Sequence, residues 1–416
     1  MNVLVMNLAH DGGGAEAVAR QTYNIGEHYD DVNTYFLAGR GRLFQGYDVI
    51  YPRRTPQKYI NLLMCSLAHN QRFHDGYALR KIKRLIKKYK IDILHIHNLH
   101  GGYIGIDDIK ELSKCVKIVW TLHDMWAVTG HCAYTMDNRG ECSRNLENNC
   151  INCPRLEAYA PLTKDISSLC LEHKKSSFSN NGIAFITPSK WLKNEVQNGI
   201  LVGEDIEVIE NGVDVHNYKP FNSEKERLDF LSERNIDHKK IVLFFVAHEL
   251  DNPYKGADVL VEALNKVNNK DKYALVIAGK GEHLSLVKEY QVFYTGYISS
   301  KEEMSRYYAC ADAFVIPSRA ENYPCTVIES LACGTPVIGS TAGGIPEQIS
   351  VDDTKRTGYL FENGDSDKLA EVLTIIDKKA LALMRGGCRE VAEEKMSQQI
   401  MMDKYVSLYK KMLENV

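Results

Sequence analysis

Short apolar, β-branched runs alternate with longer amphipathic stretches along the whole chain. Such runs predict strands at Val3–Asn7, Asn33–Ala38, Asp48–Tyr51, Ile93–His97, Val116–Thr121, Ala184–Pro188 and Glu207–Ile209. They recur at Ile241–Val246, Ala274–Ala278, Val292–Tyr297, Ala313–Pro317 and Pro336–Gly339. The run Ile241-Val-Leu-Phe-Phe-Val246 is apolar on both faces, the pattern of a strand covered by helices on both sides. Helical periodicity fills the gaps, as in Ala257–Lys266 and Ser366–Ile376. This alternation predicts the α/β class, with parallel, doubly wound sheets. Around Asn211–Pro220 it lapses into turn chemistry, a charged helix follows at Ser223–Arg234, and a new apolar strand opens after Lys240. The chain therefore reads as two Rossmann-like domains, residues 1–212 and 213–394. Residues 395–416 carry a last helix, Met396–Leu413, free to pack back on the first domain. Ligands of open α/β sheets bind beyond the carboxyl ends of the strands, so the chemistry is expected in a cleft between facing domains.

A length of 416 residues agrees with two domains and leaves ample core without staples. Lysine and arginine number 51 against 54 acidic residues, a net charge of −3, which argues against a nucleic-acid binder. No apolar run approaches the ~20 residues that span a bilayer, and the first ten residues lack a signal peptide's basic start. A cytoplasmic protein is expected. Its 11 cysteines are then mostly reduced, and a cluster of them points to a metal before a disulfide framework.

Two strand ends carry candidate chemistry. The first strand runs into Gly12-Gly13-Gly14 before a helix, where backbone amides could approach an anion. A flexible turn explains the glycines equally well, and the dinucleotide and P-loop spacings are absent. The strand at Ala313–Pro317 leads to Glu321-Asn322-Tyr323-Pro324-Cys325-Thr326 and on to Glu329. Pro324 suits a helix start and Gly334 its end, which sets Glu329 about one turn inside. Carboxylates accept from sugar hydroxyls while first-turn amides hold a phosphate, so the segment suits a phosphorylated, polyhydroxylated ligand. As an isolated pair, the two glutamates could equally be solvated helix charges.

The wider pattern decides between these. Glu321 and Glu329 form an E-x7-E element. With it come Ala274–Gly281, Phe293–Tyr297, Ala311–Ser318, Gly334-Thr-Pro336, Gly343-Gly344-Ile-Pro-Glu347 and Asn211-Gly-Val-Asp214, in order. Together these resemble the retaining GT-B glycosyltransferases of family 4, the glycosyl transferases group 1. The resemblance covers nearly the whole chain and is most specific over Tyr273–Gly364. It implies a nucleotide diphosphate sugar on the second domain, with Glu321 on the sugar, Asn322 to Thr326 around it and Glu329 on the ribose. The base would lie against Gly279, Lys280, Gly281 and Tyr297, and Lys255 would neutralise the departing diphosphate. His123 would approach donor sugar and acceptor. The arginine that usually precedes the lysine is missing; His248, Arg319 or the amides of Gly12 to Gly14 are the candidate substitutes. His95 and His97 share one side of a strand, as buried histidines or as acceptor contacts.

No cofactor is required for catalysis in similar enzymes. Cys132, Cys142, Cys150 and Cys153 lie in a cysteine-rich insert at about 129–156, and similar inserts occur in some relatives of this kind. A structural zinc is expected there, against a disulfide pair or plain thiols. The implied acceptor is a glycan or lipid-linked sugar. The basic amphipathic stretch Arg80–Lys90 could touch an anionic membrane at its inner face, or be only a solvated helix. The alternative function is a catalytically silent nucleotide-sugar-binding subunit that stabilises an active partner, which donor hydrolysis would distinguish.

Overall fold

The computed structural model describes every residue except 44–45, 138–139, 143–148, 180, 282–288, 353 and 415–416. The chain divides into two compact units. The first comprises Met1–Thr135, Glu141–Glu210 and Met401–Val416; the second comprises Met136–Gly140 and Asn211–Ile400.

The first unit holds strands β1 (Asn2–Asn7), β2 (Asn33–Gly41), β3 (Tyr47–Pro52), β4 (Ile93–Ile96), β5 (Lys117–Thr121), β6 (Ile183–Thr187) and β7 (Ile206–Val208). They form one sheet in the order β3-β2-β1-β4-β5-β6-β7, parallel throughout. The second unit holds β8 (Ile241–Glu249), β9 (Tyr273–Lys280), β10 (Gln291–Gly296), β11 (Ala313–Ile316), β12 (Val337–Ser340) and β13 (Gly358–Phe361). Their order is β10-β9-β8-β11-β12-β13, again parallel. Helices used below are α1 (Gly14–Tyr23), α2 (Pro56–Leu67), α3 (Gly76–Tyr89), α4 (Ser167–Phe178), α5 (Ala257–Lys266), α6 (Cys325–Ala332) and α7 (Gln398–Glu414).

Burial explains the continuous apolar runs. On β8, Val242 and Phe244 enter one apolar cluster while Ile241, Leu243 and Phe245 enter the other, so the sheet is covered on both faces. The expected α/β class is therefore observed. Reading the chain alone misses β13, a four-residue edge strand, and the pairing of two two-residue strands, Met136–Asp137 and Gly140–Glu141. Among the described residues no helix is long and apolar enough to cross a membrane.

Strand order fixes where ligands can enter. In the first sheet the order reverses between β1 and β4, and in the second between β8 and β11. Each reversal leaves a crevice between the loops that follow those strands.

Candidate functional site

At the β8/β11 crevice the loop after β8 carries Lys255 and the loop after β11 carries Glu321. The Lys255 ammonium donates to Glu321 Oε1 at 2.6 Å, and the Ser318 hydroxyl donates to the same oxygen at 3.0 Å. Glu321 is buried, whereas Lys255 keeps about a third of its side chain in solvent. Backbone sterics hold the two loops together. Gly256 caps α5 with φ +66°, and a Cβ there would lie 2.0 Å from the Pro317 carbonyl oxygen. Only glycine brings the lysine loop so close to the end of β11. The Arg319 amide donates to the Tyr254 carbonyl at 2.8 Å, and the Ser340 hydroxyl donates to the Ser318 carbonyl at 2.5 Å.

Helix α6 starts directly behind this pair, with Pro324 at its N-cap. Proline offers no side-chain acceptor, so the positive end of the helix is left to whatever occupies the crevice. Asn322 and Tyr323 are both buried. Tyr323 packs its ring into the core while its carbonyl accepts from Asn211 Nδ2 at 2.8 Å. The Pro324 carbonyl accepts from Gln348 Nε2 at 3.1 Å. Cys325 and Thr326 form the first turn, where burial, with Glu329 and Glu321 nearby, pushes the Cys325 thiol well up. Glu329 follows on the same helix. Burial raises its pKa, opposed by hydroxyls of Tyr218 and Tyr308 that donate to it, the latter at 3.2 Å. Sequence reasoning passes over both tyrosines, and neither lies in a motif.

The neighbouring strand ends carry an aromatic and cationic group. Gly279 has φ +151°, and a Cβ there would meet the Ala247 carbonyl oxygen at 2.2 Å. Lys280 places its ammonium 4.4 Å from the Tyr297 ring centre and 3.4 Å from His248 Nε2. The His248 ring meets Tyr297 edge-on at 5.2 Å, and half of Tyr297 is exposed. Gly281, with φ +119°, closes the group. Of the candidate substitutes for the missing arginine, Arg319 is committed elsewhere. Its guanidinium makes a bidentate pair with Asp258 of α5 at 2.7 and 2.6 Å. Lys280 supplies a cation at this edge, with His248 beside it.

In the first unit the β1/β4 crevice begins with Gly12 and Gly13 before α1 and Gly14 as its first residue, all exposed. The Glu16 side chain folds back over Gly12, where a Cβ would lie 2.9 Å from its carboxyl carbon. An acidic group against the loop makes it a poor anion cradle. Across the crevice, His123 Nε2 and His97 Nδ1 share a 2.8 Å hydrogen bond. His97 Nε2 is buried and has no partner among the described residues. An orphaned buried N–H is the costlier arrangement, so His97 Nδ1–H donates and His123 carries its proton on Nδ1. His95 is buried and satisfied, with Tyr409 of α7 at 2.6 Å and Thr121 at 2.8 Å. His100 meets Asp124 at 3.1 Å and Tyr159 at 3.1 Å. Burial would raise Asp124, but His100 and the Trp126 amide outweigh it and hold the carboxyl below its usual range.

Burial lowers His95 to about 3, His123 to about 4, and His97 well below 6.5. The unfolded chain takes up these protons near 6.5 while the folded chain refuses them, so stability falls as pH drops from about 6.5 to about 4. The slope is up to about 1.4 kcal/mol per pH unit for each histidine. Urea unfolding across that range measures it, and a flat profile contradicts this reading of the cluster.

The zinc expectation finds no support among the described residues. Cys132, Cys142, Cys150 and Cys153 are free thiols, and no three His, Cys, Asp or Glu side chains form a metal-binding group among the described residues. Residues 138–139 and 143–148 of the insert lie outside those described. Burial keeps Cys132 protonated, with its pKa pushed up to about 12, and raises Cys150 and Cys153. Lys174 of α4 ties down the start of the insert. Its buried ammonium donates to the carbonyls of Trp126 at 2.6 Å, Thr129 at 2.9 Å and Gly130 at 3.4 Å. Burial lowers it to about 8, which still leaves it charged at neutral pH.

A family profile described as glycosyl transferases group 1 matches residues 240–376, and one described as glycosyltransferase family 4 matches residues 36–217. The chain belongs to these GT-B glycosyltransferases. This glycosyltransferase is 27% identical to WcaC of Escherichia coli (strain K12) over 369 residues, 84% of this chain and 85% of that one. WcaC is named as a colanic acid biosynthesis glycosyl transferase. Sucrose-phosphate synthase from Thermosynechococcus elongatus superposes with a TM-score of 0.74 at 17% identity, over the full length of both chains. The Anabaena protein HepE, solved with UDP and glucose, gives a TM-score of 0.64 at 15% identity, covering 99% of this chain and 100% of that one. At such identities the two structures attest the fold.

Proposed function

We propose that this glycosyltransferase moves a sugar from a nucleoside diphosphate sugar to a glycan or lipid-linked acceptor, retaining the anomeric configuration, in surface polysaccharide or glycolipid assembly. The observation that carries the reading is the Lys255–Glu321 pair, 2.6 Å apart at the switch-point crevice in front of an uncapped helix. A cation, a carboxylate and a helix dipole converge there, which suits a ligand that is part phosphate and part sugar. Glu321 accepts from the sugar hydroxyls, Lys255 meets the diphosphate, and Glu329 takes the ribose hydroxyls in exchange for one of its tyrosines. The base lies along Gly279 to Gly281 and Tyr297, with Lys280 adding positive charge and His248 beside it. His123, neutral and with its proton on Nδ1, serves the acceptor side.

In this reading the acceptor oxygen bonds to the anomeric carbon on the face from which the diphosphate leaves. The carbon–oxygen bond to the diphosphate breaks with its electron pair, and the leaving oxygen takes the acceptor's proton. Lys255 stabilises the charge that grows on that oxygen. The placement of Glu321 and Glu329 on one nucleotide-side crevice speaks against paired glycosidase roles. The name of WcaC and the UDP-bound HepE structure support the polysaccharide context and the donor class.

Thermal unfolding with a panel of nucleoside diphosphate sugars tests the donor site. One donor should raise the Tm, and Lys255→Ala should abolish the rise. No shift from any donor, or a shift unchanged in that variant, contradicts the assignment.

A further inference from the structure

Helix α2 is inside out. It turns Asn61 and Cys65 to the protein and Tyr59, Ile60, Leu62, Leu63, Met64 and Leu67 to solvent. Ile60, Leu63 and Leu67 are 60%, 60% and 68% exposed. A surface helix ordinarily buries its apolar stripe. This one is locked the other way round by polar contacts. Asn61 accepts from Arg40 at 3.1 Å and donates to the Gly102 carbonyl at 3.0 Å, and the Cys65 thiol donates to the same carbonyl at 3.0 Å. A side chain at residue 102 would push the helix off, since a Cβ there would lie 2.6 Å from the Cys65 sulfur. Apolar side chains contiguous along a helix and held outward mark a contact surface.

Charge identifies the occupant. Residues 49–91 contain eleven lysines and arginines and one acid, Asp75, in a chain whose net charge is −3. Asp75 is itself buried, where it accepts from Arg72. Arg53 and Arg54 stand exposed just before α2, and α3 exposes Arg80, Arg84, Lys87 and Lys88 while burying Ala78, Ile82 and Leu85. Large aliphatic side chains flanked by unpaired cationic charge fit an anionic lipid surface, where acyl chains take the former and headgroups the latter.

We propose that α2 inserts its apolar face into an anionic bilayer surface, with the basic face of α3 against the headgroups. The helix is tied through Gly102 to the loop after β4, which carries His97 and His100. Docking therefore brings the acceptor-side histidines to the lipid and selects the lipid-linked class of acceptor left open above. That consequence rests on the functional reading, but the docking itself does not.

The full chain is sedimented with phosphatidylcholine vesicles with and without phosphatidylglycerol. The wild type should bind the anionic vesicles far better. Leu63→Glu with Leu67→Glu should lose at least about tenfold in binding on any vesicle, since each burial of apolar groups in the interface is replaced by a charge. Arg80→Gln with Arg84→Gln and Lys87→Gln should lose about fivefold per charge, on anionic vesicles only. All five positions are exposed or at a helix surface, so the Tm and its rise with donor should be unchanged, which separates this test from that of the donor site. A Leu63→Trp probe should be quenched by brominated acyl chains. Failure of the wild type to bind anionic vesicles overturns the proposal. So does binding indifferent to Leu63 and Leu67, or a dimer abolished by those substitutions without vesicle binding, which would assign the face to a second copy.

Discussion

Glu321→Ala should lose roughly 10²–10³ in kcat with a smaller change in donor KM, because contacts to the reacting sugar strengthen in the transition state. Lys255→Ala should raise KM as well as lower kcat, since the diphosphate is charged before departure and more so during it. Its cost in transition-state binding should be roughly 2–4 kcal/mol, the scale of one charge-stabilising donor. The pair adds a coupling that kinetics can read. Lys255 Nζ lies 2.6 Å from Glu321 Oε1, so each single variant also strips the other's partner. The double variant should therefore lose less than the two singles multiplied together. Glu329→Ala should act on KM more than kcat, because the ribose changes little along the reaction. Wild-type turnover in both Glu321→Ala and Lys255→Ala would remove the site and its roles together.

The second large effect comes from a residue without a functional group. Gly256→Ala should lower stability by roughly 2–3 kcal/mol, combining a left-handed backbone with a Cβ forced against the Pro317 carbonyl. Relief requires the Lys255 loop to lift from β11, so turnover should fall about as far as in Lys255→Ala. Gly387→Ala is the control. It lies within the helix Lys378–Lys395, and a Cβ there meets nothing within 4 Å. That substitution should be neutral or stabilising by up to about 1 kcal/mol. Thermal unfolding and steady-state kinetics of the two variants, side by side, check the contrast. Equal behaviour would mean the close approach of the two loops does not matter.

The α/β class is legible because strands covered on both faces leave long apolar runs, and β8 shows both faces filled. The helix at Ala257–Lys266 is legible for a similar reason, with its Val, Leu and Ala positions falling on one buried stripe. The edge strand β13 is not, since Gly358-Tyr-Leu-Phe361 is short and half-covered and gives no period to read. The loops bearing Lys255 and Glu321 stand out in the chain only as members of a family pattern. What joins them is a backbone contact at Gly256, and no local signal announces a contact across that distance. The same holds for Arg319. Its spacing leaves it a candidate for the diphosphate, and only the fold shows Asp258 of α5 already holding it. The cysteine spacing is a different case. Proximity in sequence resembles a ligand set, but the fold gathers no metal-binding group among the described residues. Helix α2 escapes the sequence reading altogether, because which of its faces is buried depends on Gly102 and Arg40.

The most direct measurement is release of nucleoside diphosphate from the cognate donor by the purified protein, with and without acceptor, in wild type and Glu321→Ala. Slow release without acceptor, acceleration with it, and loss of both in the variant are the expected results. A wild type that binds the donor but never releases nucleoside diphosphate, with or without acceptor, would contradict the account and leave a binding subunit in its place.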